Sequence, residues 1–464
     1  MTIWKPDLEN RAGPKYRRII EAIADDIASG ALPPGTRLPP HRILAYELNI
    51  SPHTTSRAYA HCVARGMLQG QIGRGTFVRM VQPDSALASP GNLERPVEGP
   101  IDFSKNLPFP GVGANHLSQT LKELGRSSDL EAYLDYQVGH SHGHQLDAGV
   151  SWLARTGIRA SRDDVVLACG AQHGILSALM ATARPGDLLL TEELTYAPVS
   201  LMARHLGLPL ATVIMDDKGI CPDALNEVCQ KQRPKVLYIT PTIQTPTTIT
   251  LDTKRRAEIA EIVLRHNLIL IEDDVYGPLR STPMLPIAEL APERTIYISS
   301  TSKCLAPGLR TAFLKAPDLI ARGVRSAVAL SCWMPPPLMA EITCRWITDG
   351  TADLLTRAQR TEANKRQAMA GDILADATLK SDPDGFHIWL SLPVQWSPSA
   401  FCARASQKGV QLTAGETFSP DEICRTKEVR ISLSHEPSRK RVKNGLYILL
   451  KLLKVSDQMG PLVI

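Results

Sequence analysis

Short apolar runs alternate with helical patterns between residues 165 and 299, and this alternation limits the possible folds more than any other feature. The runs cover residues 165–168, 188–191, 211–214, 235–240, 268–272 and 295–299, with helical patterns between several of them, as at 172–183 and 253–266. Apolar strands separated by helices predict a mostly parallel, doubly wound α/β sheet. Ligands bind such sheets beyond the carboxyl ends of the strands, so polar residues that follow the runs are candidates for a binding site.

The chain is too long for a single hydrophobic core. Its 464 residues predict two or three domains. Residues 81–100 are rich in Pro and Gly and have no hydrophobic periodicity, which predicts a linker. We therefore expect one domain at 1–80 and a second at 101–464. In the second domain, a large part to about residue 330 and a long helical stretch at 337–379 lead to a small α+β part, which covers about 331–464.

Several classes of protein are not expected from this sequence. It has no uninterrupted apolar run of about 18 residues, and its N-terminus has no apolar core of signal-peptide length. We therefore expect no membrane segment. The nine cysteines are scattered, odd in number and without a C-x-x-C pair. That pattern predicts reduced thiols in a cytoplasmic protein, without a disulfide framework and without a metal site.

The positive charge of the chain is concentrated near its N-terminus. Residues 1–80 contain 11 Lys and Arg against 6 Asp and Glu, an excess of five. The whole chain has the same excess, with 52 basic and 47 acidic residues, so the remainder is balanced. This asymmetry indicates a polyanionic partner for the N-terminal domain, with a solvated basic face as the alternative.

The same domain carries three helical patterns and a hairpin pattern. Helical spacing of apolar residues predicts a first helix at 14–29 and a second at 41–48. A third has Ser51 as its N-cap and Pro52 in its first turn, and runs to about residue 65. Glycine-flanked segments at 66–68 and 73–78 predict a small hairpin. Three helices closed by a hairpin are typical of a winged helix-turn-helix.

One lysine lies in a cluster of hydroxyl groups directly after the apolar run at 295–299. Residues 299–310 read SSTSKCLAPGLR, with Lys303 near the centre. A lysine amine forms a Schiff base with an aldehyde, which is how pyridoxal phosphate is held, and Ser300, Ser302 and Arg310 suit a phosphate group. Considered alone, Lys303 is equally well interpreted as an exposed lysine.

Three other strand ends carry residue types that the same cofactor needs. Ala171 and Gln172 follow a glycine at a strand–helix turn, where backbone N–H groups bind phosphate. Tyr196 can stack on a pyridine ring. Asp273 can pair with the pyridine nitrogen, and Tyr276 can hydrogen-bond to the ring oxygen. The respective alternatives are an ordinary turn, a core tyrosine and a helix-capping carboxylate.

These motifs, in this order, resemble the fold type I aminotransferases. The resemblance implies that Lys303 is the Schiff-base lysine and that Arg430 takes a ligand carboxylate, with a surface arginine as the alternative. It places Tyr136 at the phosphate of a neighbouring subunit. The family usually has Asn-Pro-Thr-Gly after the strand that ends near 240, whereas here Thr245 replaces the asparagine that contacts the cofactor hydroxyl. We therefore expect altered cofactor electronics.

The N-terminal segments at 38–45, 51–59 and 73–78 are similar to the GntR family of bacterial transcription factors. The start of the third helix is expected to face base edges, neighbouring arginines to contact phosphates, and the wing tip to enter a minor groove. The predicted base contacts are Ser51, His53, Thr54 and Ser56, the predicted phosphate contacts are Arg42 and Arg57, and the wing tip carries Arg74 and Gly75.

A GntR-like domain joined to an aminotransferase-like domain resembles the MocR subfamily. This resemblance implies a cytoplasmic homodimer that binds operator DNA and senses a small amino compound by aldimine exchange at Lys303. Amino acids, amines and osmolyte breakdown products, including ectoine- or taurine-type compounds, are all possible effectors. The alternatives are an active aminotransferase with an accessory DNA-binding domain and a DNA-binding protein with an inactive C-terminal domain.

Overall fold

The chain, described here from a computed structural model, divides into two compact units, residues 1–92 and 93–464. The structure describes residues 4–8, 13–28, 31–33, 35–64, 67–71, 75–78, 95, 98–127, 130–136, 143–420 and 426–454. Of the predicted linker at 81–100, only Arg95 and residues 98–100 are among them. Arg95 belongs to the second unit, where its guanidinium donates to the carbonyl oxygens of Pro108, Ser434 and His435.

The N-terminal unit contains three helices and a two-stranded antiparallel sheet. Its elements are α1 (Lys15–Ala28), α2 (His41–Glu47), α3 (Pro52–Ala64), β1 (Leu68–Gln71) and β2 (Gly75–Val78). Ile19, Ile23, Leu44 and Ala58 are buried between the three helices. The unit is therefore the predicted winged helix-turn-helix.

The second unit begins with a large α/β layer structure. Its elements are β3 (Ile101–Asp102), α4 (Ala114–Leu124), α5 (Gly143–Ala154), β4 (Val165–Ala168), α6 (Ala171–Thr182), β5 (Leu189–Glu192), α7 (Pro198–His205), β6 (Leu210–Val213), β7 (Met215–Asp216), β8 (Gly219–Ile220), α8 (Pro222–Gln232), β9 (Val236–Ile239), α9 (Thr253–Arg265), β10 (Ile269–Asp273), β11 (Thr295–Ser300) and β12 (Ala312–Lys315).

A seven-stranded sheet forms the centre of this layer structure, in the order β4-β12-β11-β10-β9-β5-β6. All six predicted strands are present. The strand β12 was not predicted. It pairs antiparallel with both β4 and β11, while the pairs β11–β10, β10–β9, β9–β5 and β5–β6 are parallel. The predicted mostly parallel sheet is thus confirmed, and β12 is its antiparallel exception.

The C-terminal part of the unit contains long helices and a smaller sheet. Its elements are α10 (Asp318–Cys332), α11 (Pro337–Thr348), α12 (Thr351–Ile373), β13 (Leu379–Ser381), β14 (His387–Ser391), α13 (Pro398–Gln407), β15 (Val410–Gln411), β16 (Thr413–Ala414), β17 (Glu428–Ser432) and α14 (Arg439–Lys454). The four-stranded antiparallel sheet has the order β13-β14-β17-β16, and β15 pairs with β3.

The predicted helical stretch at 337–379 consists of two helices, α11 and α12. The chain leaves the helix at Asp349 and turns at Gly350, whose φ of 84° is a left-handed conformation that glycine adopts without steric cost. The second helix ends at Ile373, before β13 begins. Within the described ranges, no helix has both the length and the apolar character that crossing a bilayer requires.

Candidate cofactor site and nucleic-acid interface

A cavity of about 380 Å³ lies at the carboxyl ends of the central strands. It brings together residues from turns that are far apart in sequence. Those predicted from the sequence are Lys303, Ala171, Gln172, Tyr196, Thr245, Asp273, Tyr276, Ser300, Ser302, Arg310 and Arg430. Tyr136 does not line the cavity. It is 70% exposed, and its ring lies 5.8 Å from that of Trp333.

Lys303 lies in the turn that follows β11, where its Nζ donates a hydrogen bond to the carbonyl oxygen of Asn106. Burial, assisted by the positive charge of Arg430, lowers the pKa of Lys303 to about 8. About a tenth of the amine is therefore neutral at pH 7, far more than for an ordinary lysine. A neutral amine is the form that attacks an aldehyde, so the site suits Schiff-base chemistry.

Asp273, the last residue of β10, has one oxygen engaged and one free. Its Oδ2 accepts a hydrogen bond from the Tyr238 hydroxyl at 2.7 Å, whereas its buried Oδ1 has no partner among the described residues. Burial raises the pKa of Asp273 to about 7. A buried carboxyl oxygen without a partner, on the wall of the cavity, fits the N–H of a protonated pyridine ring.

A cluster of N–H and hydroxyl donors lies at one end of the cavity. The helix α6 begins at Ala171, directly after Gly170, so its first N–H groups are available to an anion. Arg310 donates from Nη2 to the carbonyl oxygen of Cys169 at 3.0 Å. The hydroxyl of Ser300 lies 3.0 Å from that of Ser302. Helix N-terminus, guanidinium and hydroxyls together fit a phosphate.

Arg430, on β17, supplies a buried positive charge on another wall of the cavity. Its Nη2 donates to the carbonyl oxygen of Ser104, and its guanidinium carbon lies 4.8 Å from the centre of the Phe418 ring. Its Nε has no hydrogen-bond partner among the described residues. Burial lowers the pKa of Arg430 to about 10, which leaves it charged at neutral pH. Such a group is suited to a ligand carboxylate.

Three polar residues that line the cavity, Asn106, Thr240 and Thr242, were not predicted, and neither was His387 beside them. Asn106 lines the cavity, donates from Nδ2 to the Tyr276 hydroxyl at 2.7 Å, and lies 3.3 Å from Nδ1 of His387. Burial, with the nearby charge of Arg430, lowers the pKa of His387 to about 3, so its ring is neutral. Asn106 belongs to an irregular segment after the short strand β3, and no sequence motif surrounds it.

Most of the predicted DNA contacts lie on one helix. Ser51, His53, Ser56 and Arg57 are exposed at the start of α3, and the Ser51 hydroxyl accepts a hydrogen bond from the His53 backbone N–H at 3.2 Å. Arg57 also packs over the Tyr16 ring at 4.2 Å. Thr54 is half-buried on the same turn, Arg42 is exposed on α2, and Gly75 begins β2. Arg74 lies outside the described residues. Contact with DNA stays a prediction for each residue.

Comparison with known proteins assigns both units. Residues 15–78 match the model of bacterial regulatory proteins of the gntR family, and residues 102–444 match aminotransferase class I and II. The HTH-type transcriptional regulator YdeF of Bacillus subtilis is 31% identical, over 97% of this chain and 96% of its own. The chain belongs to the MocR subfamily of GntR regulators. As a MocR regulator it binds DNA, and pyridoxal phosphate is its cofactor.

Other proteins resemble this MocR regulator over most of their length. The vitamin B6 salvage pathway transcriptional repressor PtsJ of Salmonella typhimurium is 26% identical over 88% of this chain and 91% of its own. The HTH-type transcriptional regulator TauR of Rhodobacter capsulatus is 25% identical over 88% of this chain and 90% of its own. The kynurenine aminotransferase of Pyrococcus horikoshii superimposes with a TM-score of 0.71 at 23% identity, over 78% of this chain and 93% of its own. That similarity confirms the aminotransferase fold.

Proposed function

We propose that this regulator senses a small amino compound in the Lys303 cavity and changes its affinity for operator DNA as a result. One observation carries the proposal. The amine of Lys303 and the buried guanidinium of Arg430 line the same cavity of about 380 Å³. An amino acid presents an amine and a carboxylate, which are the two groups that this pair suits.

Pyridoxal phosphate, when bound, supplies an aldehyde carbon on which one primary amine can replace another. Lys303 supplies the resident amine. Because its pKa is lowered to about 8, this amine can gain or lose a proton near neutral pH. Asp273 would hold the pyridine end through Oδ1, and Arg310 with Ser300 and Ser302 would hold the phosphate end. Arg430 is left to orient the carboxylate of an effector.

DNA binding responds to an effector only if the effector binds two conformations of the protein with different affinities. An effector amine would take the place of Lys303, and the effector carboxylate would pair with the Arg430 guanidinium, which otherwise contacts the Ser104 carbonyl and the Phe418 ring. The segment with Ser104 and Asn106 therefore has different partners with and without the effector. We propose that this difference biases the conformation that binds DNA.

A spectral titration tests the proposal. The cofactor absorbance of the purified full-length protein is followed against a panel of primary amines with and without a carboxylate, in parallel with operator binding. We expect one class of compound to change both signals. Lys303→Ala should abolish both responses, and Arg430→Met should weaken the response to carboxylated compounds at least about tenfold. Lys254→Ala, on the exposed surface of α9, is the control. A normal operator response in Lys303→Ala would refute the exchange.

A second candidate function is aminotransferase turnover, because a lysine with a pKa near 8 can also move protons during catalysis. Steady consumption of an amino acid and a keto acid over many turnovers would favour it. A spectral change that stops at one equivalent of effector would favour sensing. A purified protein without any cofactor absorbance would instead favour an inactive C-terminal domain.

We also propose that the regulator acts as a cytoplasmic homodimer. Leu134, Tyr136, Leu330 and Trp333 are between 58% and 83% exposed, and the rings of Tyr136 and Trp333 are in contact. Exposed apolar side chains of this size are typical of a protein–protein interface. A second copy on this surface would account for the position of Tyr136 outside the cavity of its own chain, as expected of a residue that serves the partner's phosphate.

A further inference from the structure

Three residues with metal-binding side chains meet beside the phosphate end of the cavity. Cys169 follows β4, His173 lies in the first turn of α6, and Cys332 is the last residue of α10. The two Sγ atoms are 3.6 Å apart, and Sγ of Cys332 is 3.9 Å from Nδ1 of His173. One ligand atom from each of the three residues lies within 4.8 Å of the other two. We call this group the thiol–imidazole cluster.

The spacing of the cluster fits a tetrahedral metal ion better than a disulfide bond. Zinc bonds of about 2.3 Å to sulfur and about 2.0 Å to nitrogen separate the ligand atoms by roughly 3.5 to 3.8 Å. The observed separations of 3.6 and 3.9 Å are close to these values. A disulfide requires about 2.05 Å between the sulfurs, and the imidazole would not take part in it.

The hydrogen bonds of His173 leave the lone pair on Nδ1, the nitrogen that lies 3.9 Å from Sγ of Cys332. The hydroxyl of Ser331 donates to the Ala327 carbonyl at 2.6 Å, so its oxygen accepts from Nε2–H of His173 at 2.8 Å. The proton is thereby assigned to Nε2 and the lone pair to Nδ1. That lone pair accepts the backbone N–H of Cys169 at 3.0 Å, a hydrogen bond that a bound cation would replace. Metal-bound histidines commonly have such an outer hydrogen bond.

We propose that the thiol–imidazole cluster binds one thiophilic divalent cation of the Zn²⁺ type, with a fourth position open to water or a small ligand. Two thiolates and a neutral imidazole form a preferred ligand set for this ion, and the binding releases the two thiol protons. The site is separate from the proposed effector site. It adjoins that site through the carbonyl oxygen of Cys169, which accepts the hydrogen bond of Arg310.

Cobalt is a suitable probe, because Co²⁺ bound by thiolates absorbs through ligand-to-metal charge transfer and zinc does not. The full-length, cofactor-loaded protein is reduced, freed of metal and titrated with Co²⁺. We expect a single equivalent to produce the charge-transfer band and the visible bands of tetrahedral cobalt, and Zn²⁺ to remove both. Cys332→Ser should lose the band. Ser331→Ala should keep the band and bind roughly 10- to 100-fold more weakly.

Cys221→Ser is the matched control, because Cys221 is a partly exposed free thiol outside the cluster. It should bind cobalt like the unaltered protein, and the cofactor absorbance should show that each variant is folded. The proposal is overturned if no thiolate band appears, if the band survives in Cys332→Ser, or if Cys221→Ser loses it. It is also overturned if Cys169 and Cys332 are found linked as a disulfide and the reduced protein takes up no cobalt.

Discussion

At Asp273, the fold separates the roles of two oxygens on one carboxylate. Tyr238 donates to Oδ2, and Oδ1 is buried on the cavity wall without a partner among the described residues. Burial raises the pKa of this carboxyl group to about 7. A protonated pyridine nitrogen would supply both the missing hydrogen bond and a compensating positive charge, so the cofactor is expected to restore the ionised form.

Asp273→Asn should weaken binding of the cofactor by about 10- to 100-fold, since a charge-assisted hydrogen bond contributes about 1.5 to 3 kcal/mol. The change in affinity is measured by titration of the cofactor-free protein. Asp274→Asn is the control, because Asp274 is also buried at this strand end but accepts from Tyr297 and does not line the cavity. Equal losses of cofactor affinity in both variants would show that Asp273 affects the cofactor only through the stability of the fold.

The raised pKa of Asp273 also predicts a pH dependence of stability in the cofactor-free protein. Between the unfolded pKa of about 4 and the folded pKa of about 7, the folded protein binds a proton that the unfolded chain has released. The contribution of Asp273 to stability therefore falls as the pH rises through that window. Thermal unfolding should show Asp273→Asn gaining stability relative to the unaltered protein from pH 4 to pH 7. A constant difference would contradict the raised pKa.

At the scale of elements, the turn between β4 and α6 depends on a glycine for two reasons. Gly170 has a φ of 81°, and a Cβ atom there would lie 2.7 Å from Nη2 of Arg310. Gly170→Ala should therefore strain the backbone and displace the Arg310 guanidinium, which we propose binds the phosphate. We expect a loss of stability of about 1 to 2 kcal/mol and cofactor binding at least about tenfold weaker.

Gly186→Ala is the matched control for the turn. Gly186 has a φ of 95°, and a Cβ atom there would meet nothing within 4 Å. Its substitution should cost similar backbone strain without any change in cofactor affinity. Thermal unfolding and a cofactor titration on both variants separate the two effects. If both variants bind the cofactor equally well, the contact with Arg310 does not matter for the phosphate.

The helix α10 carries an element-scale prediction about assembly. Leu330 lies near its C-terminal end and is 79% exposed, and Leu319 lies near its beginning and is 81% exposed. If the surface with Tyr136 and Trp333 is the proposed dimer interface, Leu330→Asp should shift the protein towards monomers because it buries a charge there. Leu319→Asp should not. Sedimentation of both variants measures the shift, and an unchanged dimer in Leu330→Asp would contradict this interface.

At the scale of the whole molecule, one chain combines a basic DNA-binding unit with a unit of balanced charge. Arg42→Ala, on the exposed surface of α2, should weaken DNA binding and reduce the salt dependence by about one counterion. Cofactor binding should be unchanged. Arg17→Ala removes the same charge from α1, where no contact is predicted, and should keep the salt slope. If the DNA affinity of the unaltered protein and of both variants falls equally steeply with salt concentration, Arg42 is not a phosphate contact.

Much of the site was predictable because its chemistry lies in short motifs. Lys303, Ser300, Ser302 and Arg310 occur close together in residues 300–310, and together with the motifs at the other strand ends they indicated a Schiff-base and phosphate site. Asp273 and Tyr276 could be predicted for the same reason, because they lie three residues apart at the end of one strand. Asn106, which lines the cavity, and His387, which lies 3.3 Å from Asn106, could not, since both belong to segments that are distant in sequence and carry no motif.

The amino-acid sequence by itself determined the winged helix-turn-helix and the mostly parallel sheet, and it singled out Lys303 as the candidate Schiff-base lysine, because periodicity and local motifs encode each of them. Tertiary structure decided the rest. It placed β12 between β4 and β11, left Oδ1 of Asp273 and Nε of Arg430 without partners in the part of the chain that the structure describes, and brought Cys169, His173 and Cys332 together. Each of these depends on burial or on contacts between remote segments, which no local pattern records.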